Sequence, residues 1–202
     1  MSKQLFGLEK TASAAITIVS GLPRSGTSMM MRMLEVGGME VMTDNIRQAD
    51  TDNPLGYYEL EKVKRIKEDA TFLDEAHGKA FKMVSLLLRD LPPHKHYNII
   101  FMRRDLEEVL ASQKIMLARR GKDTSGDDQE MARHFAQHLD DIAAWLAVQQ
   151  HMDVMYVNYH DVSHHPLRSA ETVNRFVGNC LDPHKMAAVV DPTLYRNRAL
   201  RD

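Results

Sequence analysis

Ile16-Thr-Ile-Val-Ser-Gly-Leu-Pro-Arg-Ser-Gly-Thr-Ser-Met-Met-Met-Arg-Met-Leu-Glu-Val36 is the stretch on which the fold of this chain turns. A short β-branched apolar run, Ile16–Ser20, ends at glycine and has the composition of a buried parallel strand. Gly21 to Gly26 is turn chemistry, and Ser28 to Val36 is a helix stopped by Gly37-Gly38. Gly21-Leu-Pro-Arg-Ser-Gly-Thr-Ser28 has the spacing G-x-x-x-x-G-x-S/T of a phosphate-binding loop, with Thr27 where the common motif has lysine. Such a loop turns backbone N–H groups outward, and the helix behind it adds a partial positive charge. Gly26 lets the loop approach a phosphate closely, Thr27 and Ser28 offer hydroxyls, and Arg24 brings the basic group into the loop as a planar fork.

Working outward, Ala80–Val84 and Tyr97–Met102 are further candidate strands, and Val154–Val157 another. Helices are expected over Glu59–Ala76, where sparse apolar positions suggest an exposed helix, and around Leu86–Asp90. Others are expected over Asp105–Arg119, over Gln129–Gln149 with Phe135, Leu139, Ile142 and Leu146 at helical spacing, and near Leu167–Val177 and Pro183–Val190. Thr43–Tyr58 is polar and turn-rich, and Gly121–Asp128 is a polar linker. Alternating strands and helices predict an α/β fold, a P-loop-type parallel β-sheet flanked by helices on both faces. Ligands of such folds sit beyond the carboxyl ends of the strands, which places Gly21, Lys82, Arg103 and Arg104 on one rim. Residues 1–202 are expected to form one domain with a helical insertion at about 113–150.

Composition bounds the partners. The 202 residues carry a formal net charge of −2, with 44% hydrophobic and 27% charged residues, an ordinary globular balance. No global basic field points to nucleic acid or an anionic membrane, so neither is an expected partner, and any anion site must be built locally. Cys180 is the one cysteine and reads as a small buried hydrophobe, which fits a reducing compartment. Met1–Lys10 lacks an apolar signal core and no apolar run approaches ~20 residues, so a cytoplasmic location is expected. The 14 methionines read as core filler, and the ten histidines have no metal-ligand spacing, so no metal is expected. Thr27 in place of lysine, and a strand ending in Arg103-Arg104 rather than an acid, argue against magnesium-dependent phosphoryl transfer.

Three segments resemble the sulfotransferase superfamily that uses 3′-phosphoadenosine 5′-phosphosulfate (PAPS). Leu22-Pro-Arg-Ser-Gly-Thr-Ser28 is similar to that family's Pro-Lys/Arg-Ser-Gly-Thr-Ser/Thr loop for the 5′-phosphosulfate. Ile99-Ile-Phe-Met-Arg-Arg-Asp-Leu-Glu-Glu-Val-Leu-Ala-Ser112 is similar to its 3′-phosphate element, a strand-end arginine followed eight residues later by a serine. Val157-Asn-Tyr-His-Asp-Val162 resembles a later Tyr-Glu-Asp-Leu segment, and Asn53-Pro-Leu-Gly-Tyr-Tyr-Glu59 a stretch common in bacterial members.

The resemblance implies that Pro23, Arg24, Ser25, Gly26, Thr27 and Ser28 bind the PAPS phosphosulfate, and Arg104 and Ser112 the 3′-phosphate. It implies a transfer of a sulfuryl group to a hydroxyl or amine of an unidentified acceptor, without metal. Lys82 matches a family lysine that stabilises charge on the bridging oxygen, and Arg24 shares that role. Val84 stands where many members have a histidine base, and Glu59 is the substitute, since other branches use glutamate. The family's C-terminal basic loop has no clean match: Arg196 and Arg198 either take its place at the 3′-phosphate or form a solvated tail. Two alternatives stay open, a P-loop small-molecule or nucleotide kinase, and a non-catalytic nucleotide-binding protein motivated by Val84.

Overall fold

A computed structural model describes residues 15–122, 127–191 and 193, apart from 45, 47, 48, 51, 52, 54 and 55. Four strands form one parallel sheet: β1 (Ile16–Gly21), β2 (Ala80–Val84), β3 (Tyr97–Arg103) and β4 (Met152–Asn158), in the order β2-β1-β3-β4. The register pairs Gly21 with both Val84 and Met102, and Arg103 with Asn158, so all four strands end along one edge. Parallel strands need crossovers, and here the crossovers supply the covering layers.

Each strand sends alternate residues to opposite faces, and both faces are apolar. On one, Val19, Ile100 and Met102 meet α1 (Thr27–Gly37) through Met30, Met31, Met33 and Leu34, together with α5 (Pro166–Phe176) and α6 (Pro183–Ala188). On the other, Ile16, Ile18, Ile99 and Phe101 pack against Val63, Phe72 and Leu73 and against Ile142 and Leu146 of α3 (Asp128–Leu146). The expected α/β sheet with helices on both faces is therefore present. The methionines crowded on α1 are core: Met30, Met31 and Met33 are fully buried.

α2 (Leu106–Arg119) follows β3 directly, capped by the Asp105 carboxylate accepting from the Glu107 N–H. The described part of the polar linker leads into α3, whose first turn is capped by Asp127. The short segment after β2 is a 3₁₀ turn, Ser85–Asp90.

Two expectations are corrected and one element is added. Glu59–Ala76 is not one exposed helix but two 3₁₀ turns, Glu61–Arg65 and Thr71–Glu75. Its apolar residues Val63, Ile66, Phe72 and Leu73 are buried, and their spacing does not keep one helical face. The Asp69 carboxylate starts the second turn by accepting from the N–H and hydroxyl of Thr71. A further helix, α4 (Tyr159–His164), begins directly at the end of β4, capped by Asn158. Cys180 is exposed rather than buried, because left-handed Gly178 and Asn179 turn the chain outward at the end of α5.

Candidate functional site

The carboxyl edge of the sheet opens into a cavity of about 420 Å³. The loop after β1 forms its floor. Gly21 has φ +146°, and a Cβ there would lie 2.6 Å from the Met102 carbonyl oxygen of the neighbouring strand. Ser25 braces the turn: its N–H and its hydroxyl both donate to the Leu22 carbonyl, at 3.2 and 2.7 Å. Arg24 sits at φ +72°, a left-handed conformation uncommon for a residue other than glycine. Gly26 has φ +96° and lies under the Tyr159 ring, where a Cβ would approach Cδ2 to 2.3 Å. α1 starts immediately afterwards, with no side-chain cap and no carboxylate in its first turn. Its N-terminus thus presents positive potential to the cavity without an internal counter-charge.

The second wall comes from the end of β3. Arg104 leaves the strand and its Nε donates to Glu108 Oε2 at 2.9 Å, an i,i+4 ion pair with both side chains at most 8% exposed. Its guanidinium lies 4.4 Å over the Tyr159 ring and its Nη1 donates to the Arg24 carbonyl at 3.2 Å. Arg24 in turn donates from Nε to Ser112 Oγ at 2.9 Å. The loop, β3, α2 and α4 are thereby tied through two arginines. Burial pushes the Tyr159 hydroxyl pKa up, with Arg104 pulling it back, so the ring under Arg104 is a neutral phenol.

The third wall is β2 with the 56–60 segment. Lys82 Nζ donates to the Tyr57 carbonyl, which also accepts from Ser28 Oγ at 3.1 Å. Lys82 lies 3.4 Å from Ser28 Oγ as well. Tyr58, at φ +52°, donates its hydroxyl to Glu35 Oε2 at 2.5 Å, and burial followed by that carboxylate pushes its pKa up. Glu59 is pinned through its backbone, its carbonyl accepting from Thr43 Oγ1 at 3.0 Å and from the Asp44 N–H at 3.1 Å. Tyr57 is therefore stitched to α1 and β2, Tyr58 to α1, and Glu59 to the 43–44 segment.

Pro23, Arg24, Gly26, Thr27, Ser28, Glu59, Lys82, Arg104 and Ser112 all line this one cavity, drawn from sites as far apart in sequence as Pro23 and Ser112. Ser25 does not line it: at 1% exposure its side chain faces inward as the brace described above. Arg103 does not either. Its guanidinium stacks 4.0 Å over Tyr156 on β4. Val84 lines the cavity with 39% of its surface exposed. Arg196 and Arg198 lie outside the described residues.

Two groups at the site were not singled out from the sequence. Glu108 had a signal, its i,i+4 spacing from Arg104. Tyr159 lies inside the quoted Val157–Val162 segment, but only the fold brings its ring over Gly26 and Arg104. Among the described residues no group of three or more His, Cys, Asp or Glu is placed to hold a metal, and no helix is long and apolar enough to cross a membrane.

The arrangement suits an elongated anion with charge at two points, one over the loop and one beside Arg104 and Ser112. The sequence also matches the family model of the sulfotransferase domain over residues 16–198. The chain belongs to that family. Solved sulfotransferases share its fold at low identity. The sulfotransferase domain from the curacin biosynthetic pathway aligns with TM-score 0.50 at 14% identity, over 94% of this chain and 93% of that one. Mouse sulfotransferase SULT7A1 complexed with PAP aligns with TM-score 0.51 at 15% identity, over 88% of this chain and 63% of the other. Sulfotransferase STF9 from Mycobacterium avium aligns with TM-score 0.50 at 13% identity, over 87% and 67%. No curated protein matches this sulfotransferase-family sequence.

Proposed function

We propose that this sulfotransferase-family chain transfers a sulfuryl group from PAPS to a hydroxyl or amine of its acceptor. The observation that carries the reading is the joining of two anion-binding elements in one cavity. The Pro23–Ser28 loop and the Arg104–Ser112 pair are linked by the Arg24–Ser112 and Arg104–Arg24 hydrogen bonds. The complex of the mouse relative with PAP, the donor without its sulfuryl group, is in keeping with this choice.

In this reading the 5′-phosphosulfate lies over the loop, held by the backbone at Gly26 and Thr27 and by Ser28, with Pro23 shaping the turn and Ser25 bracing it. The 3′-phosphate takes the hydrogen bonds of Ser112 and of the Arg104 guanidinium. The acceptor oxygen or nitrogen attacks sulfur, forming the new S–O or S–N bond as the bond from sulfur to the phosphate oxygen breaks. Glu59 takes the acceptor proton in place of a histidine at Val84. Arg24 and Lys82 stabilise the negative charge that builds on the departing phosphate. A transferring –SO₃ group carries less charge than –PO₃, so positioned donors suffice without a metal.

Calorimetric titration with 3′,5′-adenosine bisphosphate (PAP) beside magnesium ATP tests the donor class. PAP is expected to bind at least about a hundredfold more tightly, with no need for magnesium. A preference for magnesium ATP would move the site to phosphoryl transfer.

A further inference from the structure

The cations lining the cavity extend beyond the positions assigned to the donor. Among the described residues, six cationic side chains line it against two carboxylates, Glu59 and Asp191, in a chain whose formal net charge is −2. Arg24, Lys82 and Arg104 have their places at the donor. Lys64, Arg119 and Arg120 do not. Arg119 and Arg120 stand at the C-terminal end of α2, seven and eight residues past Ser112. At 1.5 Å per residue that is roughly 10–12 Å further along the helix, beyond the 3′-phosphate position. Lys64 comes from the opposite wall, in the 3₁₀ turn that follows Glu59, where it pairs with Glu61 at 2.5 Å. Arg119 and Arg120 thus line the cavity about two helix turns past Ser112, and Lys64 lines it from the turn that follows Glu59.

The same cavity also has an apolar lining. Leu60, Val63, Val84, Leu87, Ile115 and Met116 supply it. Val84 and Ile115 are 39% and 42% exposed, unusual for large hydrophobic residues in a concave site. Exposed apolar surface inside a pocket marks the position of an apolar ligand body. A pocket that combines apolar surface with cations of this kind sorts ligands by charge as well as by shape.

We propose that the acceptor is an amphipathic organic anion. Its hydroxyl or amine reaches Glu59 and the loop, its apolar body covers Val84 and Ile115, and a carboxylate, phosphate or sulfate at its far end meets Lys64, Arg119 and Arg120. This inference rests on the donor reading above. In the unliganded protein the same cations have other work: Lys64 pairs with Glu61, and two arginines complement the negative end of the α2 dipole.

The test keeps the two claims apart. The full chain is first titrated with PAP, which reports the donor site alone. The PAP-saturated protein is then titrated with probes matched in shape and differing in charge: 3-(4-hydroxyphenyl)propanoate, 4-propylphenol and tyramine, and the alkyl set 10-hydroxydecanoate, 1-decanol and 10-aminodecanol. In at least one set the anion is expected to bind about tenfold tighter than the neutral probe, with the cation weakest, and raised salt is expected to narrow the gap. Arg119→Gln/Arg120→Gln should bring anion and neutral probe to within about threefold, and PAP binding by that variant reports that it is folded. Failure of PAP to bind the wild-type chain removes the donor reading. PAP binding with no charge preference in either probe set, or with a preference that survives the double substitution, overturns the anionic acceptor while leaving the donor reading intact.

Discussion

The two ends of the cavity are built differently. The donor end rests on strands and long helices, and its side chains are locked in one arrangement: Arg104 between Glu108 and Tyr159, Ser25 on Leu22, Gly26 against an aromatic ring. The opposite wall consists of short 3₁₀ turns and an irregular segment, held by side-chain bonds to backbone such as Thr43 to Glu59 and Lys82 to Tyr57. A nucleotide with charges at fixed separation needs a rigid receptor. A wall of short turns can change shape between relatives without disturbing it.

The largest expected difference between the two ends is energetic. Arg104→Ala removes the buried ion pair of the Glu108 carboxylate, so a loss of about 3–5 kcal/mol is expected in chemical denaturation. Adding Glu108→Leu to the same chain should restore most of it. Retention of full stability by the single variant would mean that the pair is not buried in solution. Next comes Gly26→Ala. Positive φ and the Tyr159 ring together are expected to cost about 2–3 kcal/mol and to weaken PAP binding. Tyr159→Leu in the same chain relieves the clash but not the backbone strain, so recovery should be partial. Complete recovery would make the ring, not the φ, the sole constraint.

Across the cavity the effects should be small. Glu61→Ala breaks only the exposed pair with Lys64, and a change of under about 0.5 kcal/mol is expected. A loss comparable to that of Arg104→Ala would erase the contrast between the ends. His138 gives the finest probe of this wall, its ring bonded to Ser85 Oγ at 2.8 Å just past Val84. Burial, then the charge of Arg89, holds its pKa below the ordinary histidine value, with Asp141 opposing. Below pH ~6.5 the unfolded chain therefore takes up the proton more readily than the folded one, and stability falls as pH drops from there through the folded pKa. His138→Gln should flatten that part of the stability profile, and an unchanged slope would mean that His138 does not titrate there.

The same division governed what was legible in the sequence. β1, β2 and β3 could be read because strands buried on both faces are largely apolar runs, and the loop because its glycine spacing falls between a strand and a helix with an arginine inside. Arg104 and Ser112 came from the resemblance to the family's 3′-phosphate element, with which a helix beginning just after a strand agrees. The 59–76 segment misled because its charges suggest a solvated helix, while its apolar residues are anchored by contacts with the sheet that local spacing does not encode. Tyr159 was quoted but left without a task, since its value lies in meeting Gly26 and Arg104 across more than fifty residues of chain. Arg103 and Arg104 look alike in the sequence. Only the pleat of β3 and the start of α2 send one to Tyr156 and the other into the cavity.

The central claim is that one cavity holds a nucleotide by its 5′ and 3′ ends together, and the most direct measurement is the ratio of Kd values for 5′-AMP and PAP. The wild-type chain should favour PAP by at least about a hundredfold, as charge-assisted hydrogen bonds to a second phosphate require. In Ser112→Ala, which leaves the Arg104–Glu108 pair intact but removes the acceptor of Arg24 Nε, that ratio should fall about tenfold, with 5′-AMP binding reporting any change at the loop. Equal affinity for the two nucleotides in the wild type, or a ratio untouched by the substitution, would contradict the account.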